Sequence, residues 1–363
     1  MKLPAFEVEQ WMTAYEHDAV YNLTDTCIPA LTVSELLELD DSGLFHDVTL
    51  DYGTISGDLR LREAILNLYA TGSPDDITTS QGCLEGNELV MNTLLEPQDH
   101  VITFAPGYQA FMDYPRSIGC KVTVLPLYEK DGWQPRIEDL EEAMKAPVKL
   151  IILNNPNNPT GTLFRKDYLD RMIDLANEQD TWILSDEVYR DPANPSLSDL
   201  YENGISVSSL SKMYSLAGLR LGWIKGPRTL IDQINERRDY SIISTGPLAD
   251  TLGFIALRKK DVLLERSRSI IAQNRTIIRE WLETESRCHV VIPEGCAVSF
   301  LQYDPPVPSK DLAVKLLKDY GVFFVPGACF GYENHMRLSL TASEDIMKTG
   351  LRLLSECLDS LSQ

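Results

Sequence analysis

Residues 149–187 read KLIILNNPNNPTGTLFRKDYLDRMIDLANEQDTWILSDE. Two short apolar runs, KLIILNN and TWILSDE, flank an amphipathic stretch, KDYLDRMIDLANEQ, so the segment is predicted as strand, helix, strand. The alternation continues in both directions. Upstream, LRLREAILNLYA and GNELVMNTLL are expected helices, HVITFA and KVTVLPL strands, and LEEAMK a further helix; downstream, GISVSSLS and LRLGWIKG are expected strands. Strands and helices alternating in this way indicate an α/β domain with a mostly parallel sheet. Past residue 250 the pattern changes. One long charged helix is predicted over roughly residues 249–285, followed by strand candidates HVVIPE, AVSFLQY, GVFFVPG and MRLSL among the helical DLAVKLLKDY and EDIMKTGLRLLSECL, which describes an α+β lobe. Near the amino terminus, Phe6, Val8, Trp11, Met12 and Tyr15 suit one helical face that should pack on something larger.

Composition narrows the function classes. The chain has 363 residues, 44% hydrophobic and 24% charged, enough for two lobes and a large core. With 33 basic against 54 acidic residues its formal charge is -21, a field that repels polyanions, so neither nucleic acid nor an anionic membrane is an expected partner. The first residues carry several acids and no signal-like apolar run, and no segment has about 18 uninterrupted apolar residues, so a cytoplasmic location is expected. The seven cysteines are scattered without a CxxC pair and read as reduced thiols. The five histidines lack HExxH spacing, so no metal is expected. GxGxxG and GxxxxGK[ST] loops are also missing, which argues against a dinucleotide or nucleoside triphosphate and directs attention to another cofactor.

The chemistry concentrates in Ser208–Trp223, SSLSKMYSLAGLRLGW. Lys212 ends a small-residue strand, where burial lowers an amine's pKa and leaves it able to attack an aldehyde. Arg220 follows eight residues later in a Gly-containing turn, from which a guanidinium can return to grip a phosphate. Alone, a strand-end lysine is more often simply solvated. It does not stand alone, because Asn155–Gly161 (NPNNPTG), Ser185–Tyr189 (SDEVY), Ser209–Lys212 (SLSK), Val325–Gly327 with Phe330–Gly331, and Arg337–Ser339 follow in order. In that order the motifs resemble the class I and II aminotransferases, fold-type I pyridoxal phosphate (PLP) enzymes, over most of the chain.

The resemblance implies a large PLP-binding domain, residues 45–250, with a mostly parallel seven-stranded sheet flanked by helices, and a small α+β domain from residues 1–44 and 251–363. It implies a Schiff base from Lys212 to PLP, Asp186 facing the pyridine nitrogen, and Asn158 and Tyr189 donating to the phenolic oxygen. The phosphate would lie on the main chain of Gly82, Cys83 and Leu84, before the helix GNELVMNTLL, with Ser209, Ser211 and Arg220 around it. The family usually has Ala or Ser where Cys83 stands. Tyr108, in Pro106–Tyr108, is the residue expected to stack on the ring. Tyr52, five before Gly57, is expected to reach the phosphate of a neighbouring subunit, which implies a homodimer. Arg337, beside Asn158, would bind the substrate α-carboxylate as a fork. The implied activity is ping-pong transamination between an α-amino acid and a 2-oxo acid. One segment departs from the family: Asn22–Pro29 (NLTDTCIP) replaces its Gly-rich S-x-G-x-P entry. That leaves a lyase, cyclase or oxidase on the same machinery open, with Asp25 and Glu16 as candidates to face a cationic substrate side chain. A PLP-binding regulator is disfavoured by the acidic charge and by the lack of a DNA-binding module before residue 45.

Overall fold

The computed structural model describes residues 2–304 and 306–361. After a two-residue strand β1 (Tyr21–Asn22), seven strands form one sheet: β2 (Ile77–Ser80), β3 (His100–Ala105), β4 (Lys121–Pro126), β5 (Leu150–Asn154), β6 (Trp182–Asp186), β7 (Gly204–Ser209) and β8 (Gly222–Lys225). Their spatial order is β2-β8-β7-β6-β5-β3-β4. Every neighbouring pair is parallel except the two that involve β8. Only β8 is reversed, so the carboxyl ends of the other strands and the amino end of β8 share one edge. The central strands are buried along their whole length, as expected when helices cover both faces. In the helix Lys166–Gln179, Tyr168, Leu169, Met172, Leu175 and Ala176 form the stripe that covers one face.

A second sheet holds β9 (Cys288–Val290), β10 (Val298–Tyr303), β12 (Val325–Pro326) and β13 (His335–Ser339) in the order β12-β13-β10-β9, all antiparallel. Strand β11 (Val322–Phe323) instead pairs with β1. The helix Glu7–Tyr15 docks as expected of its apolar face: Val8 and Trp11 are buried, and Trp11 Nε1 donates to Phe324 O at 2.9 Å.

Several sequence expectations are corrected. GVFFVPG is two strands in two sheets, because the chain leaves one ladder at Phe324 before entering the next. The helix expected over 249–285 is two, Pro247–Arg258 and Lys260–Leu282, broken at the non-helical Lys259. The first packs on the helix Leu59–Leu66 and the second on Glu344–Leu361, and the break lets Arg258 and Lys259 both pair with Asp41. LRLGWIKG becomes a strand only at Gly222, because Arg220 has φ +49°. The helix expected from Gly86 begins at Gly82, and Ile77–Ser80 is a sheet edge the sequence pattern did not single out.

Candidate active site

Loops at the shared edge converge on a cavity of about 560 Å³. In open α/β sheets this edge is where ligands bind. Asp186 ends β6 and is buried. Its Oδ2 accepts from Asn87 Nδ2 at 2.6 Å and from the Cys83 thiol at 3.2 Å, and its Oδ1 accepts from Asn154 Nδ2 and Val188 N, both at 3.1 Å. Burial still holds its pKa above the usual carboxylate range, with Val188 N, the Cys83 thiol and Asn87 pulling it back. The adjacent Glu187 points away, into a buried ion pair with Arg190 at 2.6 Å.

Asn154 was not singled out from the sequence, although it stands one residue before NPNNPTG. Its Nδ2 holds Asp186 while its Oδ1 accepts from Asn158 N at 2.7 Å, so one amide sets the spacing of two expected site residues. Asn158 is 6% exposed, lines the cavity, and its side-chain oxygen has no partner among the described residues. Such an orphan acceptor is costly unless a ligand satisfies it. Tyr189, also buried against the cavity, has its phenol pushed up by burial, eased by Arg337 and Thr26. Tyr108 lines the same space, its ring 4.9 Å from that of Phe6, and burial raises its phenol as well.

Lys212 follows β7, with Ser209 and Ser211 buried beside it. Its Nζ donates to Thr26 Oγ1 at 2.6 Å and to Cys27 Sγ at 3.3 Å. The segment expected to cradle the phosphate differs from a loop before a helix, because Gly82 opens the helix and Cys83 and Leu84 occupy its first turn. Arg220 lies against it: a Cβ added at Gly82 would fall 2.6 Å from an Arg220 guanidinium nitrogen. Burial and then Asp186 push the Cys83 thiol up, so it sits there as a neutral donor.

Arg337 sits in β13 between β10 and β12 and is 4% exposed. Its Nε donates to Thr24 O and Thr24 Oγ1, each at 3.2 Å, and its two Nη groups make no hydrogen bond among the described residues. Thus the departing segment enters the site itself, with Thr24 holding Arg337 and Thr26 and Cys27 holding Lys212. Tyr52 is elsewhere, 74% exposed in a surface loop and not in this cavity. No group of three or more His, Cys, Asp or Glu among the described residues is arranged to hold a metal, and no described helix is long and apolar enough to cross a membrane.

A basic cradle at a helix start, a lysine at a strand end and a buried carboxylate that can face a ring nitrogen, all on this sheet, define a fold-type I PLP enzyme. Residues 33–352 match the family model for aminotransferase class I and II. A solved PLP-dependent aminotransferase from Streptococcus suis 89-1591 is 35% identical and superposes with a TM-score of 0.96 over 100% of both chains. Among curated relatives, capreomycidine synthase from Streptomyces vinaceus is 27% identical, covering 98% of this chain and 94% of its own. Aspartate aminotransferase from Pyrococcus horikoshii is 26% identical over 88% and 84%. The chain belongs to the class I and II aminotransferases, and its cofactor is pyridoxal phosphate.

Proposed function

We propose that this protein moves the α-amino group of an amino acid to a 2-oxo acid in two half-reactions at one site. The observation that carries this reading is the meeting, in one cavity, of Lys212, Asp186, Asn158 and Tyr189 with the unengaged Nη face of Arg337. When bound, pyridoxal phosphate supplies the electron sink and carries the amino group between the half-reactions.

The side chains supply the rest. Lys212 Nζ would hold the cofactor and, as a free amine, would take the substrate's α-proton. Asp186 would keep a proton on the ring nitrogen, and Asn158 and Tyr189 would donate to the ring oxygen. Gly82, Cys83 and Leu84 offer main-chain N–H groups to the phosphate with Ser209, Ser211 and Arg220. Arg337 forks the α-carboxylate and so aims the α-proton at Lys212.

Tyr52 is read as the residue lent to the partner of a homodimer. Supporting this, Leu50 (81% exposed), Tyr52 and Tyr240 (95%) are large side chains in solvent, and the loop bearing Tyr52 is tied to the Tyr240 segment through Ser244. A second reading, a lyase, cyclase or oxidase, is favoured by one observation: Thr26 and Cys27 contact Lys212 where the family has a Gly-rich entry. Adding a good amino acid without acceptor separates the two. Transamination should yield one equivalent of 2-oxo acid per site, change the cofactor absorbance and stop, then resume with ping-pong kinetics when a 2-oxo acid is added. Continued turnover without acceptor, releasing ammonia or peroxide, would establish the second reading instead.

A further inference from the structure

The charges left over by this assignment point to the substrate. Lys212 and Arg220 are committed to the cofactor and Arg337 to the α-carboxylate. The amino-terminal helix Glu7–Tyr15 also borders the cavity, contributing Val8, Glu9 and Met12 to the lining. The ring contact between Phe6 and Tyr108 brings the start of this helix against the residue expected to stack on the cofactor. Asp25 is exposed between Thr24, which bonds Arg337, and Thr26, which bonds Lys212; burial depresses the Arg337 pKa and Tyr189, Asp25 and Glu9 ease it, so both acids lie near that guanidinium. Among the described residues the Asp25 carboxylate accepts only from Cys27 N, at 3.0 Å. Glu16 follows the helix, and its pKa is raised by partial burial and then by Asp25. None of Glu9, Glu16 and Asp25 forms an ion pair among the described residues. Two further groups in the cavity call for a ligand independently of these acids: the orphan side-chain oxygen of Asn158 and the free Nη face of buried Arg337.

Resting on the proposed function, we infer that the substrate is an α-amino acid whose side chain ends in a cation, an ammonium or guanidinium group on a methylene stem. Held by its α-carboxylate on Arg337, such a substrate runs its stem along Val8 and Met12 and delivers its charge to Glu9, Glu16 and Asp25. Long cationic side chains divide themselves between apolar contact and polar tip in just this manner. An acidic side chain would meet three carboxylates, and a neutral one would leave them without a partner, so the site discriminates by repulsion as well as by attraction.

The test uses the PLP-loaded protein and a matched panel: arginine, ornithine, citrulline, norleucine and glutamate. Citrulline has nearly the shape of arginine without its charge. Apparent dissociation constants come from titrating the cofactor absorbance, with kcat/KM measured alongside. Arginine or ornithine should exceed citrulline and norleucine by about tenfold or more in both measures, with glutamate weakest. In Glu9→Gln, Glu16→Gln and Asp25→Asn, made singly and together, the arginine to citrulline ratio should fall, toward unity in the triple variant. A ratio that survives in the triple variant, or a preference for neutral or acidic side chains, would overturn the inference and leave the proposed function standing. A panel in which no amino acid perturbs the absorbance would overturn both.

Discussion

At the scale of single residues, the site depends on groups that position others. In the proposed mechanism Asp186 works as a carboxylate, yet burial favours its protonated form. Asn87, through its 2.6 Å bond, is one of the donors that oppose burial. Replacing it with alanine removes a pull toward lower pKa, so the Asp186 carboxyl should protonate at higher pH. The acid limb of the kcat/KM profile of Asn87→Ala should therefore move toward neutrality; a profile superposing on the parent would remove this role. Thr26 serves Lys212 in a comparable way. Thr26→Val loses the hydroxyl that accepts from Nζ and should lower kcat about fivefold, the ~1 kcal/mol of one hydrogen bond, while Thr26→Ser restores it. Serine performing no better than valine would mean that the site needs only the bulk of the residue.

At the scale of elements, the phosphate cradle shows what was legible in the sequence and what was not. The strands of the parallel core were readable because fully buried strands are short apolar runs, and Lys212, Asp186, Asn158 and Arg337 because each stands in a dense motif. The start of the helix Gly82–Leu94 was not. Gly82 and Cys83 carry no helical periodicity, and the Gly82 φ of +80° belongs to a turn that only tertiary contact with Arg220 explains. Asn87 and Asn154 escaped for another reason: they touch Asp186 rather than lying in a motif, and a contact across 99 residues leaves no local pattern. Thr24–Cys27 was visible as a departure, but its bonds to Arg337 and Lys212 follow from the packing of the amino-terminal segment. The cradle can be tested directly. Gly82→Ala must bear a left-handed backbone, costing ~1–2 kcal/mol, and must also push back the Arg220 guanidinium. It should unfold at lower denaturant and, beyond that, lose affinity for PLP and for inorganic phosphate. Arg220→Ala should lose the anion affinity without the backbone cost. Equal destabilisation of the two variants would show that Gly82 is not strained.

At the scale of the whole molecule, what remains is whether one chain makes a complete site. The cavity is lined by every expected contact but Gly82, which directly precedes Cys83, and Tyr52, which projects into solvent from a loop that also exposes Leu50. In an isologous dimer the same patch meets itself, so each subunit lends its tyrosine to the other and receives one in return. Tyr52→Phe should then weaken PLP retention about fivefold, ~1 kcal/mol for one hydrogen bond. Heterodimers of Tyr52→Phe with Lys212→Ala decide where the tyrosine acts. Their only Lys212 belongs to the subunit that lacks the Tyr52 hydroxyl. If the hydroxyl crosses the interface, that lysine site receives an intact Tyr52 from the Lys212→Ala subunit and should bind PLP with parental affinity. If Tyr52 acts within its own subunit, the same site keeps the weakened affinity of the Tyr52→Phe homodimer. Borohydride fixation counts only the Lys212-bearing sites, so the fraction fixed as PLP is titrated reads their affinity directly. Parental affinity establishes the shared site, and weakened affinity in proven heterodimers excludes it.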